Sequence, residues 1–199
     1  PRAGNICQLD HDTNDWLAGR RYDRDVLSRL DVARITPLPW TMDWPAWWPK
    51  GRAKLWRLVV PAFEPDGTMA SLHGRRVRDD IEMPKTLWAK DAEAKGLIMA
   101  DPVALAMIRR EQSPAQLWIC EGITDYLRTV QTAAIMDDDI AVISATSGGF
   151  TSVGELPIPS HTTVFVATDA DGAGGQGDRY AQIVARALHP RPVYRIPLA

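Results

Sequence analysis

The apolar positions change period about halfway along the chain. Trp16 and Leu17, then Val26, Leu27 and Leu30, fall at helical spacing. This predicts two short helices, with residues 19–23 as the turn between them. Residues 36–50 hold Pro37, Pro39, Pro45 and Pro49 and fit no regular element; the tryptophans among them (Trp40, Trp44, Trp47, Trp48) are expected to fold back onto a core. Residues 55–63 form a strand-length apolar run, Pro65-Asp66-Gly67 reads as a turn, and residues 68–73 as a second strand. Residues 75–95 read as charged and irregular, and 102–110 as a helix. After that the pattern alternates: strand 117–120, helix 123–134, strand 140–144, strand 163–168, helix 178–188, strand 193–196. That order predicts an α/β fold, a parallel sheet flanked by helices, preceded by a smaller mixed α+β lobe. The expected division is 1–110 for the mixed lobe and 111–199 for the α/β lobe.

With 199 residues and 45% hydrophobic composition, the chain can bury one sizeable core, which excludes a disordered tail or a disulfide scaffold. Cys7 and Cys120 are far apart and form no CxxC pair, the four histidines have no zinc spacing, and no apolar run approaches the ~18 residues of a membrane span. These features predict an intracellular, cytoplasmic protein without a membrane partner. The start, Pro1-Arg2-Ala3-Gly4, lacks an initiator Met and leads us to expect a portion of a longer protein. The net charge of −2 conceals an asymmetry. Residues 50–78 carry seven basic side chains against two acidic ones, and residues 117–171 carry eight acidic against one basic. A site joining a polyanion to metal ions needs both.

The acidic stretch has a pattern. The first α/β strand runs into Glu121-Gly122, with Asp125 one helical turn on; the second ends in Ser144-Ala145-Thr146-Ser147-Gly148-Gly149; the third runs into Asp169-Ala170-Asp171-Gly172. In open parallel sheets, ligands bind beyond the carboxyl ends of the strands, so Glu121, Asp169 and Asp171 are expected to converge there. Asp169 and Asp171, two apart, share one side of extended backbone. Clustered carboxylates repel one another unless a cation lies between them, and an all-oxygen set suits Mg²⁺ or Mn²⁺. The competing reading makes these acids solvated helix caps, which three acids at two strand ends, each beside glycine, disfavour.

Glu121-Gly122-x-x-Asp125, followed about fifty residues later by Asp169-x-Asp171-x-x-Gly174, resembles the Toprim domain of primases, topoisomerases and some nucleases. The N-terminal half selects among these. Trp16-Leu17-Ala18-Gly19-Arg20 and Asp25-Val26-Leu27-Ser28-Arg29-Leu30 resemble the opening helices of the DnaG-type primase core. Leu72-His73-Gly74-Arg75-Arg76-Val77 resembles its Phe-Gly-Gly-Arg hairpin, and Pro84-Lys85-Thr86-Leu87 its Pro-Lys-Tyr-Leu. His73 and Thr86 depart from those motifs. The resemblance implies metal-dependent primer synthesis on single-stranded DNA from nucleoside triphosphates, with a replicative helicase as a further partner. It implies metal ligation by Glu121, Asp125, Asp169 and Asp171, the first, third and fourth of these also being catalytic. Nucleic-acid or nucleotide contacts are expected from Arg57, Arg75, Arg76, Lys85 and Lys90. The alternatives are a Toprim nuclease or a non-catalytic nucleic-acid-binding module of a mobile-element replication or defence protein.

Gly172-x-Gly174-x-x-Gly177, after a strand and before a helix, also matches a dinucleotide-binding fingerprint. Two acids at its mouth would repel a pyrophosphate, and no Asp or Glu follows Asp178 to hold a ribose. Ser144, Thr146 and Ser147 have no histidine base nearby in sequence, which argues against nucleophilic catalysis.

Overall fold

The computed structural model describes residues 11–29, 34–35, 56–78, 82–89, 94–136, 139–146, 149–170 and 174–198. The tryptophan-rich stretch 36–50 lies outside them, as do Cys7, Lys90, Ser147 and Asp171. Two helices open the chain, α1 (His11–Gly19) and α2 (Arg24–Arg29). A two-residue strand β1 (Arg34–Ile35) follows, then the hairpin of β2 (Leu58–Phe63) and β3 (Met69–Arg75). Next come β4 (Thr86–Trp88), β5 (Ile98–Ala100) and α3 (Pro102–Ile108). The remainder is β6 (Gln116–Glu121), α4 (Gly122–Met136), β7 (Ile140–Ala145), a 3-10 turn (Phe150–Glu155), β8 (Thr163–Asp169), α5 (Gln176–Ala187) and β9 (Val193–Leu198).

Most predicted elements form within one to three residues of their expected ends; α1 begins earlier, at His11, and β1, β4, β5 and the 3-10 turn have no counterpart in the sequence reading. Residues 75–95, read as irregular, contain β4, which pairs antiparallel with β3 at His73↔Trp88 and Arg75↔Thr86. Three residues are too few to carry a period, and the strand is held instead by the His73 ring stacked on Trp88 at 4.1 Å. β5, equally short, escaped for the same reason.

All strands join one sheet of order β4-β3-β2-β5-β7-β6-β8-β9, with β1 on β2. It runs unbroken past residue 110, because β5 pairs antiparallel with β7 at Met99↔Ser144. β7, β6, β8 and β9 are mutually parallel. The chain goes from β6 outward to β7, then crosses back to β8 on the other side of β6 and on to β9. Right-handed crossovers running in opposite directions put their helices on opposite faces. The two cores show this. α4 packs Ile123, Tyr126, Leu127 and Val130 against Trp118, Cys120 and Val142. α3, the 3-10 turn and α5 cover Leu117, Ile119, Ile143, Val164 and Val166 on the reverse face. Period-2 alternation in β6 thus feeds two cores, as a sheet covered on both sides requires.

The opening helices join the α4 face. The Tyr22 hydroxyl donates to the Thr124 carbonyl at 2.9 Å, and Arg128 donates to the Arg21 carbonyl at 3.1 Å. Arg21 has φ 56°, so that carbonyl is aimed by a left-handed turn. Cys120 is free and buried, its thiol donating to the Ile143 carbonyl at 3.3 Å. Among the described residues no helix is long and apolar enough to cross a membrane.

Asp101 joins the two parts of the sheet. It caps α3, accepting the Ala104 N–H at 2.7 Å, and the same oxygen accepts the Val142 N–H of β7 at 3.1 Å. Burial pushes its carboxyl up to about 7, against the two donors that pull it down. Asp101→Ala removes a cap and leaves two interior N–H groups unpaired. The expected cost is about 2 kcal/mol, read as a lower urea midpoint at unchanged slope; a cost under about 0.5 kcal/mol would mean that water replaces the carboxylate.

Candidate active site at the reversal of strand order

β6 and β8 are neighbours whose chains continue in opposite directions, so their carboxyl ends open a crevice between the departing helices. Glu121 is the last residue of β6, Asp169 the last of β8, and Asp125 lies in the first turn of α4. All three line one open cleft of about 300 Å³, together with Gly122, Gln176 and Gly177. Gly122 turns the chain from strand directly into helix at φ +71°, a conformation that side chains rarely adopt. Gln176 was not anticipated from the sequence. Gly177 was, but only as part of the rejected dinucleotide fingerprint; its place at a strand–helix junction was the available signal.

The electrostatics follow from that shared space. Burial, then the negative charges of Asp169 and Glu121, push the Asp125 carboxyl up to about 6. Asp169 itself is exposed. Among the described residues no group of three or more His, Cys, Asp or Glu side chains is placed to hold a metal ion. Asp171, the second acid of the Asp-x-Asp pair, lies outside those residues. Three carboxylates on one cleft, with the pKa of Asp125 raised by its neighbours, fit the chemistry of a hard divalent cation.

The small-residue loop after β7 is structural at the positions described. The Ser144 hydroxyl donates to the Gly122 carbonyl at 3.3 Å, and that of Thr146 to the Leu97 carbonyl at 2.6 Å. Neither is a nucleophile waiting for a base. A Cβ on Gly149 would lie 2.9 Å from the Thr146 carbonyl oxygen and 3.0 Å from the Gly96 nitrogen, so this loop closes tightly on the segment before β5.

The basic residues divide. Lys85 is exposed and Arg57 is half-buried. Arg75 and Arg76, expected to contact nucleic acid or nucleotide, are buried, 8% and 4% exposed. α1 lays the Trp16 ring against Arg75, 5.8 Å from its guanidinium. Trp56 is fully buried, its indole N–H donating to the Pro84 carbonyl at 3.2 Å, so it offers no surface for stacking bases. His73, the departure from the hairpin motif, is buried too. Burial and then Arg75 lower its pKa to about 4, so it packs as a neutral ring.

Basic and acidic groups are not segregated. Tyr22, whose pKa is raised by burial, senses Arg128, Asp125, Arg20 and Arg75 at once. The arginine end of the hairpin and the acid at the start of α4 therefore border one tyrosine.

No protein-family model matches the chain, and no curated protein matches it in sequence. Solved structures match it in fold. A DnaG primase catalytic domain bound to single-stranded DNA gives a TM-score of 0.59 at 16% identity, covering 98% of this chain and 69% of that one. The zinc-binding and RNA polymerase domains of the Aquifex aeolicus primase give 0.55 at 17% identity, covering 95% of this chain. This chain spans 50% of the length of that structure. The primase fragment of the bacteriophage T7 primase-helicase protein gives 0.54 at 11% identity, over 92% of this chain and 64% of that one. Residues 11–198, as far as they are described, therefore have the fold of the DnaG-type primase catalytic core.

Proposed function

We propose that this chain is the catalytic core of a DNA primase, a Toprim-type nucleotidyltransferase that joins nucleoside triphosphates into short primers on single-stranded DNA. The observation that carries the reading is the meeting of Glu121, Asp125 and Asp169 in one cleft, at the reversal of strand order of a primase-like fold. Glu121, Asp169 and Asp171 would hold Mg²⁺ or Mn²⁺, with Asp125 adding a carboxylate from α4. Held there, such an ion would supply Lewis-acid stabilisation of the negative charge that develops in phosphoryl transfer. Gly122 keeps side-chain bulk out of the floor, and Asp125 holds negative charge against the cleft wall. Lys85 and Arg57 present cations to template or triphosphate, while buried Arg75 and Arg76 act from beneath, shaping the surface and its potential. Lys90 belongs to the same proposal on sequence grounds. A helicase partner does too, since one fold match is part of a primase-helicase protein.

Asp169→Ala is expected to reduce primer synthesis on a single-stranded template by at least about 100-fold, with far-UV circular dichroism unchanged. Extension by the variant at the wild-type rate with Mg²⁺ would remove Asp169 from the chemistry. In the same reaction, shortened template marks a nuclease, and a mobility shift without products marks a binding module.

The Asp125 carboxyl makes metal binding pH-dependent. Its folded pKa, about 6, lies above the ordinary aspartate value. Between about pH 4 and about pH 6 the folded protein thus binds more protons than the unfolded chain, so metal-free stability falls as pH rises through that window. A divalent cation offsets the repulsion once the group ionises. Thermal melting with and without Mg²⁺ should show a larger stabilising shift at about pH 7.5 than at about pH 5. Asp125→Asn should flatten the metal-free decline.

Salt dependence tests the basic surface. Lys85→Ala, an exposed substitution, should flatten the log–log salt slope for single-strand binding by about 0.7, one phosphate contact, without loss of stability. Arg75→Ala should also lower the melting temperature, since its side chain is buried. An unchanged slope in Lys85→Ala would move template contact away from β4.

A further inference from the structure

The segment that carries Asp171 leaves β8 at Asp169 and enters α5 at Gln176. One side chain from the neighbouring strand ties both ends of it. Arg195, on β9, donates from Nε to the Thr168 hydroxyl oxygen at 3.1 Å and from Nη2 to the Asp169 carbonyl oxygen at 2.7 Å. Its Nη1 pairs with the Asp178 carboxylate in the first turn of α5. The other Asp178 oxygen accepts the Gly174 N–H at 2.6 Å. The Thr168 hydroxyl donates in turn to the Gly177 carbonyl at 3.3 Å.

Gly177 lies close against the end of β8 and the Arg195 side chain. A Cβ on Gly177 would sit 2.6 Å from the Asp169 carbonyl oxygen and 2.9 Å from Arg195 Nη2. The charged pair is about three-quarters shielded from water, its side chains 26% and 25% exposed, which strengthens it relative to a surface pair. A guanidinium is planar and presents its donors in a fixed fork, so three bonded partners fix the plane and the plane fixes the partners. Holding the Asp169 carbonyl fixes that residue's peptide plane, and with it the direction in which the carboxylate leaves the backbone.

We propose that Arg195 is the positioning residue for Asp169. It touches neither substrate nor metal; it clamps the strand end to the helix start, so that the Asp169 carboxylate faces Glu121 and Asp125 across the cleft. This inference rests on the divalent-metal reading given above. A lysine at this position keeps the charge but cannot span three partners, so the geometry is specific to arginine.

The test is binding of Mn²⁺ alone to the protein, measured by loss of the free-ion electron paramagnetic resonance signal. Primer synthesis against Mn²⁺ concentration gives a second readout. Arg195→Met and Arg195→Lys are each expected to weaken Mn²⁺ binding by about 10-fold or more with near-UV circular dichroism unchanged. Half-saturation by Mn²⁺ in primer synthesis should rise by a similar factor, while the rate at saturating metal changes little. Wild-type Mn²⁺ affinity in both variants, with Asp169→Asn losing it, overturns the role of Arg195 and leaves the metal reading standing. Wild-type affinity in Asp169→Asn overturns the metal reading, and the inference with it. If both Arg195 variants lose their fold, Gly177→Ala opens the same contact from the helix side and decides. Weakened Mn²⁺ binding there supports the clamp; wild-type affinity overturns it.

Discussion

The site depends on where the sheet changes direction. β6 lies between β7 and β8, and the chain leaves it one way before returning on the other side. α4 and α5 pack into separate cores on opposite faces, as right-handed crossovers in opposite directions require, and their starts leave the gap between β6 and β8 open. Parallel pairing fixes the rest. Register Cys120↔Ala167 brings the last residues of both strands to the same edge. Glu121 and Asp169 therefore meet by topology, before any attraction between side chains is considered. No favourable energy draws two carboxylates together; the core packing of Ile119, Ile143, Val164 and Val166 imposes it.

That imposition has an electrostatic consequence. Asp125 is carried toward the same edge by the first turn of α4, and the neighbouring acids oppose its ionisation. Tyr22, docked on α4 by its bond to the Thr124 carbonyl, feels the charges of this acid and of Arg20, Arg75 and Arg128, with the Arg128 guanidinium 4.6 Å over its ring. The N-terminal helices thus do two things. They set Trp16 against Arg75, and they add Arg20 to the positive charge that Tyr22 feels beside Asp125. A polyanion and a cation meeting there would find both signs already in place.

Much of this was legible in the sequence, for identifiable reasons. Long elements with a clear period were found, and acids next to glycine at strand ends marked the cleft. Tertiary structure decided what the sequence left open. Arg75-Arg76 beside Arg78 has the look of solvated charge, yet the first two are buried, and Arg75 lies against the Trp16 ring from far along the chain. β4 and β5 are three residues each, too short for any period to register. Asp101-Pro102 is a readable helix start, but the second bond, to Val142, joins residues 41 apart. Arg195 was invisible as well: one charged residue in an apolar run gives no hint that it spans a strand end and a helix start.

The glycine spacing at residues 172–177 shows how one geometry can imitate another function. In a dinucleotide fold, the last glycine of the fingerprint lets a helix approach a strand closely. Gly177 does the same here, against the Asp169 carbonyl. Gly174, at φ +78°, turns the chain into α5 and gives its N–H to Asp178. Both requirements arise from a tight strand–turn–helix junction, whatever binds in front of it. What separates the two chemistries is the charge at the mouth. A pyrophosphate needs bare N–H groups there, whereas this mouth has Asp169, Glu121 and Asp125 around it. The pattern of small residues reports the backbone, and the charge beside it distinguishes this mouth from one built for a pyrophosphate.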